Sequence, residues 1–230
     1  MMKKFVTGIF MALLFSSFAE EGMIIPSLLQ AFESDMKAKG MKLTAADIYS
    51  VNNGSLKDAI MHFGGGCTAE LVSDKGLLLT NHHCGLDAIQ KHSSTEHDYL
   101  KNGFWAKTFA DELPNIGLTA TRIVRIEDVT EAMKSGLIGV ESGEKVAEIL
   151  KRNKTKLIED ATRGTHFKAD IQAFDYGNSF YLMVKEVFED VRLVGAPPSS
   201  IGKFGGDTDN WVWPRHTGDF SVFRVYAGTD

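Results

Sequence analysis

An apolar run, Leu77-Leu78-Leu79-Thr80, ends on Asn81 and delivers two histidines and a cysteine, His82-His83-Cys84, followed by Gly85. The only other cysteine is Cys67. Between the two lie Thr68-Ala69-Glu70-Leu71-Val72-Ser73 and the turn-forming Asp74-Lys75-Gly76. Apolar segments flanking a glycine-containing turn specify a hairpin, so the sequence reads as two strands, 67–73 and 76–81, stapled by a Cys67–Cys84 disulfide. In the chain-entropy account, closing a loop of this size stabilises a fold by about 3 kcal/mol. A histidine beside such a staple is held rigidly.

A structural disulfide belongs to an oxidising compartment, and the N-terminus supplies the route to one. Met1-Met2-Lys3-Lys4 is basic, Phe5 to Phe15 is almost wholly apolar, and Ser17 and Ala19 stand three and one positions before a cut at Glu20. This is the layout of a signal peptide over residues 1–19. The apolar stretch is short for a bilayer span, so the expectation is a protein exported to the periplasm or cell surface, with no stable membrane insertion after signal removal. The 230 residues are 43% hydrophobic, enough to bury a core. A net charge of −5 with no basic run excludes nucleic acid as a partner.

Strands are expected at 56–63, 67–73 and 76–81, bounded by turn signals, at 166–174 and 179–188 on either side of the Asp175-Tyr176-Gly177-Asn178 turn, and at 118–126 and 221–226, where apolar and polar residues alternate. Residues 128–162 are helical by pattern, and 195–209 read as a long Gly/Pro/Ser loop. Short strands with one inserted helical pair give a mainly β fold with α insertions, built on a barrel.

His83 is the candidate general base. Acyl transfer needs an imidazole with one nitrogen facing the nucleophile and the other held by a carboxylate. On an extended backbone, His82 and His83 point to opposite faces, and His83 is favoured because it abuts Cys84. Asp219 is the candidate orienting acid because it opens the last strand, although Asp190, Asp207 and Asp209 compete for the role and spacing alone does not choose. A metal site from His82, His83 and His216 is disfavoured by the opposed directions at 82 and 83 and the lack of an HExxH motif. No cofactor and no metal are implied.

Gly65-Gly66-Cys67-Thr68-Ala69, Thr80-Asn81-His82-His83-Cys84-Gly85 and the long segment Gly205 to Phe220, with its Trp211-Val212-Trp213-Pro214-Arg215-His216-Thr217-Gly218-Asp219 core, resemble the bacterial S46 peptidases. These are the dipeptidyl-peptidases 7 and 11 and their relatives, and the resemblance covers nearly everything after the signal. It implies a chymotrypsin-like double-barrel fold, of which residues 20–230 would be the N-terminal part, truncated before the second barrel. It also implies serine-type release of dipeptides from oligopeptides with a free N-terminus. Within that pattern His83 is the base, Asp219 the orienting acid, and Asn210 and Trp211 hold the substrate's ammonium group. Any homodimer rests on the resemblance alone.

Trp213 is expected in the core. The nucleophilic serine is expected outside the chain: Gly177-Asn178-Ser179 runs into a strand without an oxyanion turn, and Ser199-Ser200 follows two prolines in a loop. The chain thus reads as a fragment holding base and acid but no nucleophile. The alternative is a non-catalytic peptide-binding module or inactive remnant of the fold.

Overall fold

The computed structural model describes residues 24–204, 212–214 and 216–227. Residues 1–19, expected to be a signal peptide, and Asp207, Asp209, Asn210 and Trp211 lie outside them. Ten strands form one antiparallel sheet: β1 (Ile60–Phe63), β2 (Cys67–Leu71), β3 (Leu77–Thr80), β4 (Phe104–Trp105), β5 (Leu113–Pro114), β6 (Ala120–Asp128), β7 (Lys168–Phe174), β8 (Ser179–Phe188), β9 (Asp190–Ala196) and β10 (Ser221–Tyr226). Their order is β4-β9-β10-β3-β2-β1-β6-β8-β7, with β5 also paired to β9.

The alternation that specifies these strands buries one face of each. Leu78 of β3, Leu193 of β9, Met61 and Phe63 of β1 and Phe223 of β10 are almost fully buried. Each such side chain contributes about 1.5–3 kcal/mol when removed from water. The sheet curls so far that Phe63 and Phe223 meet, with ring centroids 4.8 Å apart. The chain closes the curl itself. β5 pairs with β9, Asn115 bonds the Val191 carbonyl through both its backbone N–H and its side chain, and the chain then runs directly into β6. Glu112, buried just before β5, accepts Arg224 Nε at 2.8 Å and the Tyr226 hydroxyl at 2.7 Å, fastening β10 to the same segment.

A second, smaller core lies where β6 runs on to meet β8 and β7. Ile171, Leu182 and Val184 pack there beneath Leu150, Leu157 and Ile158 of a helix spanning Gly143–Thr162. This helix and the short Thr130–Lys134 are the inserted pair anticipated over 128–162.

Three expectations need correction. The backbone at His82 and His83 is not extended: His82–His92 is an eleven-residue helix, so the disulfide joins β2 to a helix rather than two strands of a hairpin. Gly195 and Ala196 are not loop but the end of β9, and Ser199–Gly202 forms one helical turn. Trp213 is not core; it is 92% exposed in a segment without regular structure. Among the described residues the α-helices, in chain order, are α1 (Glu33–Ala38), α2 (Ala45–Ile48), α3 (His82–His92), α4 (Tyr99–Asn102), α5 (Thr130–Lys134), α6 (Gly143–Thr162) and α7 (Ser199–Gly202).

Candidate active site

The site is assembled at the N-terminus of α3, where the first backbone N–H groups of a helix lack internal partners. Asn81 occupies the cap position, yet its side chain makes no bond to the helix. Asp219 does that work from across the fold. Its Oδ1 accepts the His83 backbone N–H at 3.1 Å, and the His82 N–H also faces the carboxylate. The Asn81 side-chain amide donates to Asp219 Oδ2 and to the Asp219 carbonyl, both at 3.2 Å. A carboxylate at a helix N-terminus is favoured by the helix dipole as well as by these bonds.

The same carboxylate holds the ring. His83 Nδ1 lies 2.9 Å from Asp219 Oδ2. An ionised carboxylate only accepts, so Nδ1 carries the proton and Nε2 is the free ring nitrogen. The imidazole is 67% exposed while the Asp219 side chain is only 17% exposed. Burial pushes the Asp219 carboxyl upward in pKa, but the His83 N–H, the His83 ring and the His82 N–H outweigh it and hold the group below the usual carboxylate range.

Two further devices fix this geometry. Cys67 and Cys84 are bonded, S–S 2.03 Å, tying the first turn of α3 to β2. Ser221 Oγ donates to the Asn81 carbonyl at 2.8 Å, clamping the start of β10 to the start of α3. Gly85 permits that approach: a Cβ there would stand 2.6 Å from Ser221 Oγ and 3.0 Å from the Phe223 ring. Asn81 and Gly85 were visible as motif residues without an assigned role. Ser221 carried no signal in the sequence.

The other candidates fall elsewhere. His82 is buried, 1% exposed. Asp190 is held by Arg192 at 2.7 Å, on β9. Ser179 opens β8 opposite Phe174, in the smaller lobe. Among the described residues no serine hydroxyl bonds His83, and the one cluster of metal-ligand side chains is Cys67, His83 and Cys84, whose two sulfurs are bonded to each other. A cleft of about 1030 Å³ opens beside the disulfide, lined by Gly64 to Gly66 and by Ile116 to Leu118.

The peptidase S46 family model matches residues 19–230. This chain belongs to the peptidase S46 family. It is 57% identical over 207 residues to the Asp/Glu-specific dipeptidyl-peptidase of Capnocytophaga gingivalis, covering 90% of this chain and 29% of that protein. It is 52% identical over 219 residues to the dipeptidyl-peptidase 7 of Phocaeicola vulgatus, covering 91% of this chain and 30% of that one. The crystal structure of Porphyromonas endodontalis DPP11 in complex with the dipeptide Arg-Glu superposes with a TM-score of 0.81 at 50% identity, over 90% of this chain and 31% of the other. The S46 chain therefore spans about a third of the length of the curated relatives it matches, and the mainly β architecture expected of it is the one found.

Proposed function

We propose that this S46 chain carries the base-and-acid half of an exported serine-type dipeptidyl aminopeptidase, whose nucleophile lies outside residues 1–230. The observation that carries the reading is the Nδ1–Oδ2 contact of 2.9 Å between an exposed His83 ring and a largely buried Asp219. That pairing fixes the tautomer in which Nε2 can accept a proton.

The steps follow from it. His83 Nε2 takes the proton of the serine hydroxyl as that oxygen attacks the scissile carbonyl, and Asp219 stabilises the imidazolium without itself becoming protonated. The imidazolium then gives its proton to the departing amine, leaving an acyl-enzyme. Water repeats the sequence and frees the dipeptide. Asn210 and Trp211 hold the substrate's ammonium group two residues from the scissile bond, Asn210 through its acceptor oxygen and Trp211 through its ring face. Export rests on the signal-like residues 1–19, and no helix among the described residues is long and apolar enough to cross a membrane.

The test is to express the whole reading frame that contains this chain and assay dipeptidyl fluorogenic substrates with free and acetylated N-termini. The expected result is cleavage of the free forms only, with His83→Ala losing about 10⁴-fold or more in kcat. Cleavage of acetylated substrates, or a variant as active as the parent, would overturn the reading. Binding without cleavage would leave a peptide-binding module.

A further inference from the structure

The disulfide borders both the proposed base and the cleft. A ring nitrogen of His83 lies within 4.8 Å of both sulfurs, and Cys67 and Cys84 both line the space of about 1030 Å³ beside them. From the disulfide the cleft follows α3. Asp87, Ala88 and Lys91 line it. They stand three, four and seven positions after Cys84, which puts all four residues on one face of the helix. The facing wall is the turn at 64–66, between β1 and β2, together with the link at 114–119.

Both ends of this groove are tied across. At the near end the Cys67–Cys84 bond joins the hairpin to α3. At the far end His92 Nε2 meets Asn115 Oδ1 at 3.1 Å, and the Asn115 amide donates in turn to the Leu113 and Val191 carbonyls. Walls fixed in this way need no ordering by whatever enters between them. A Cβ at Gly65 or Gly66 would meet nothing within 4 Å, so another backbone can approach the turn closely. Asp87 and Lys91 are exposed, and neither has an ion-pair or hydrogen-bond partner among the described residues.

We propose that this groove receives the departing part of the substrate, the residues downstream of the scissile bond, and that Lys91 pairs with a carboxylate about four residues beyond that bond. This rests on the dipeptidyl-peptidase reading above. His83 hands its proton to the departing amine, so the first departing residue stands at the imidazole and its chain leads away from there. Lys91 follows His83 by eight positions, about 12 Å along a helix. An extended peptide covers that distance in about four residues. The two residues on the other side of the bond span only about 7 Å and would leave the far end empty.

The chemistry of the groove suits a peptide of varied sequence. The glycine turn offers backbone without side chains, and Ile116 and Leu118 offer apolar surface that does not select one residue type. Charge supplies a gradient along the helix. Asp87, one turn nearer the base, favours a cationic side chain on the second or third departing residue, and Lys91 favours the carboxylate that ends a short peptide. Both groups are exposed, so each contributes a modest, salt-sensitive preference rather than a strict requirement.

The experiment uses the enzyme expressed from the whole reading frame, and peptides in which one cleavable dipeptide is followed by one to six further residues. We expect kcat/KM to rise about 10-fold up to four departing residues and then to stay level. At four, a free C-terminal carboxylate should be preferred to the amide about threefold, and Lys91→Glu should reverse that preference. Gly66→Leu fills the groove from the turn, where an added side chain has room. It should lower the ratio of kcat/KM for the hexapeptide to that for a dipeptidyl aminocoumarin about 10-fold. Efficiency that ignores departing length, or a carboxylate preference untouched by Lys91→Glu, would overturn the proposal and leave the dipeptidyl-peptidase reading intact. Equal losses on both substrates in Gly66→Leu would also overturn it, by putting the dipeptide in the groove instead of the departing chain. A parent that cleaves neither substrate would overturn both.

Discussion

The two lobes of this chain are built from one continuous sheet but are secured in different ways. Around Phe63, Leu78, Leu193 and Phe223 the sheet curls on itself, a disulfide ties β2 to α3, and the buried Glu112–Arg224 pair fastens the last strand. The lobe of β7, β8 and α6 has a smaller core, no buried residue on α6, and ion pairs such as Lys154–Asp170 at 2.8 Å between half-exposed side chains. The proposed base and acid stand in the first lobe. Rigidity is concentrated where an imidazole must hold one orientation, and the second lobe relies on its smaller core and surface ion pairs.

Four measurements on the whole-reading-frame enzyme would break or sharpen that contrast. The largest effect is expected from Asp219→Asn, which should lower kcat about 10⁴-fold by releasing the His83 tautomer. It should also cost about 1 kcal/mol of stability, because the same carboxylate caps α3. A variant with full activity would detach the site from the rigid lobe. Next, Glu112→Ala leaves Arg224 buried without its partner and should destabilise the fold by about 3–5 kcal/mol in urea unfolding. A cost below about 1 kcal/mol would show that the first lobe does not depend on this pair.

The disulfide variant Cys67→Ala/Cys84→Ala should lose about 3 kcal/mol, together with part of kcat, since the turn bearing His83 is no longer tied to β2. Retention of full kcat would assign the positioning to Asp219 and Ser221 alone. The smallest effect is expected in the second lobe: Lys154→Ala should cost less than about 1 kcal/mol and leave kcat unchanged. A fall in kcat there would couple the lobes and undo the comparison.

Acidity offers a separate probe of the first lobe. Burial holds the His82 imidazole below the ordinary histidine range. The unfolded chain therefore binds the extra proton first, and stability drops as pH falls below about 6.5. Asp219 has a depressed carboxyl, so its contribution is present above the usual carboxylate range and is lost as pH falls through its lower folded value. Melting temperature followed from about pH 7 to about pH 5 should fall less steeply in His82→Asn than in the parent. Equal slopes would mean that His82 is not held neutral.

Much of this was legible along the chain. Short segments between turn signals mark the strands at 60–63, 67–71 and 77–80, alternation marks 221–226 because a half-buried sheet demands a period of two, and the cysteines on either side of the hairpin do pair. The start of α3 differs from expectation only at His82 and His83, which follow the extended Leu77 to Asn81 without a break. The signal that could have corrected this is Asn81, a strong cap residue, followed by the helical spacing of His82, Gly85, Ala88 and Ile89, all buried. β9 was missed because its neighbours β4, β5 and β10 come from distant parts of the sequence, so its pairing leaves no local trace.

By itself, then, the sequence determined β1 to β3, β6 to β8 and β10, the disulfide and the histidine that stands beside it, because these depend on local side-chain pattern and on two cysteines with no other partners. Which aspartate faces that histidine was a different matter. Spacing alone does not choose between Asp190 and Asp219; Asp190 is taken by Arg192 two positions along its own strand, and the fold brings Asp219 to the bare N–H groups of α3. The fold likewise divides the roles of His82 and His83: one ring is buried beneath α7 and the other is exposed. Chain-local chemistry names the groups, but only packing between residues more than a hundred positions apart decides which of them meet.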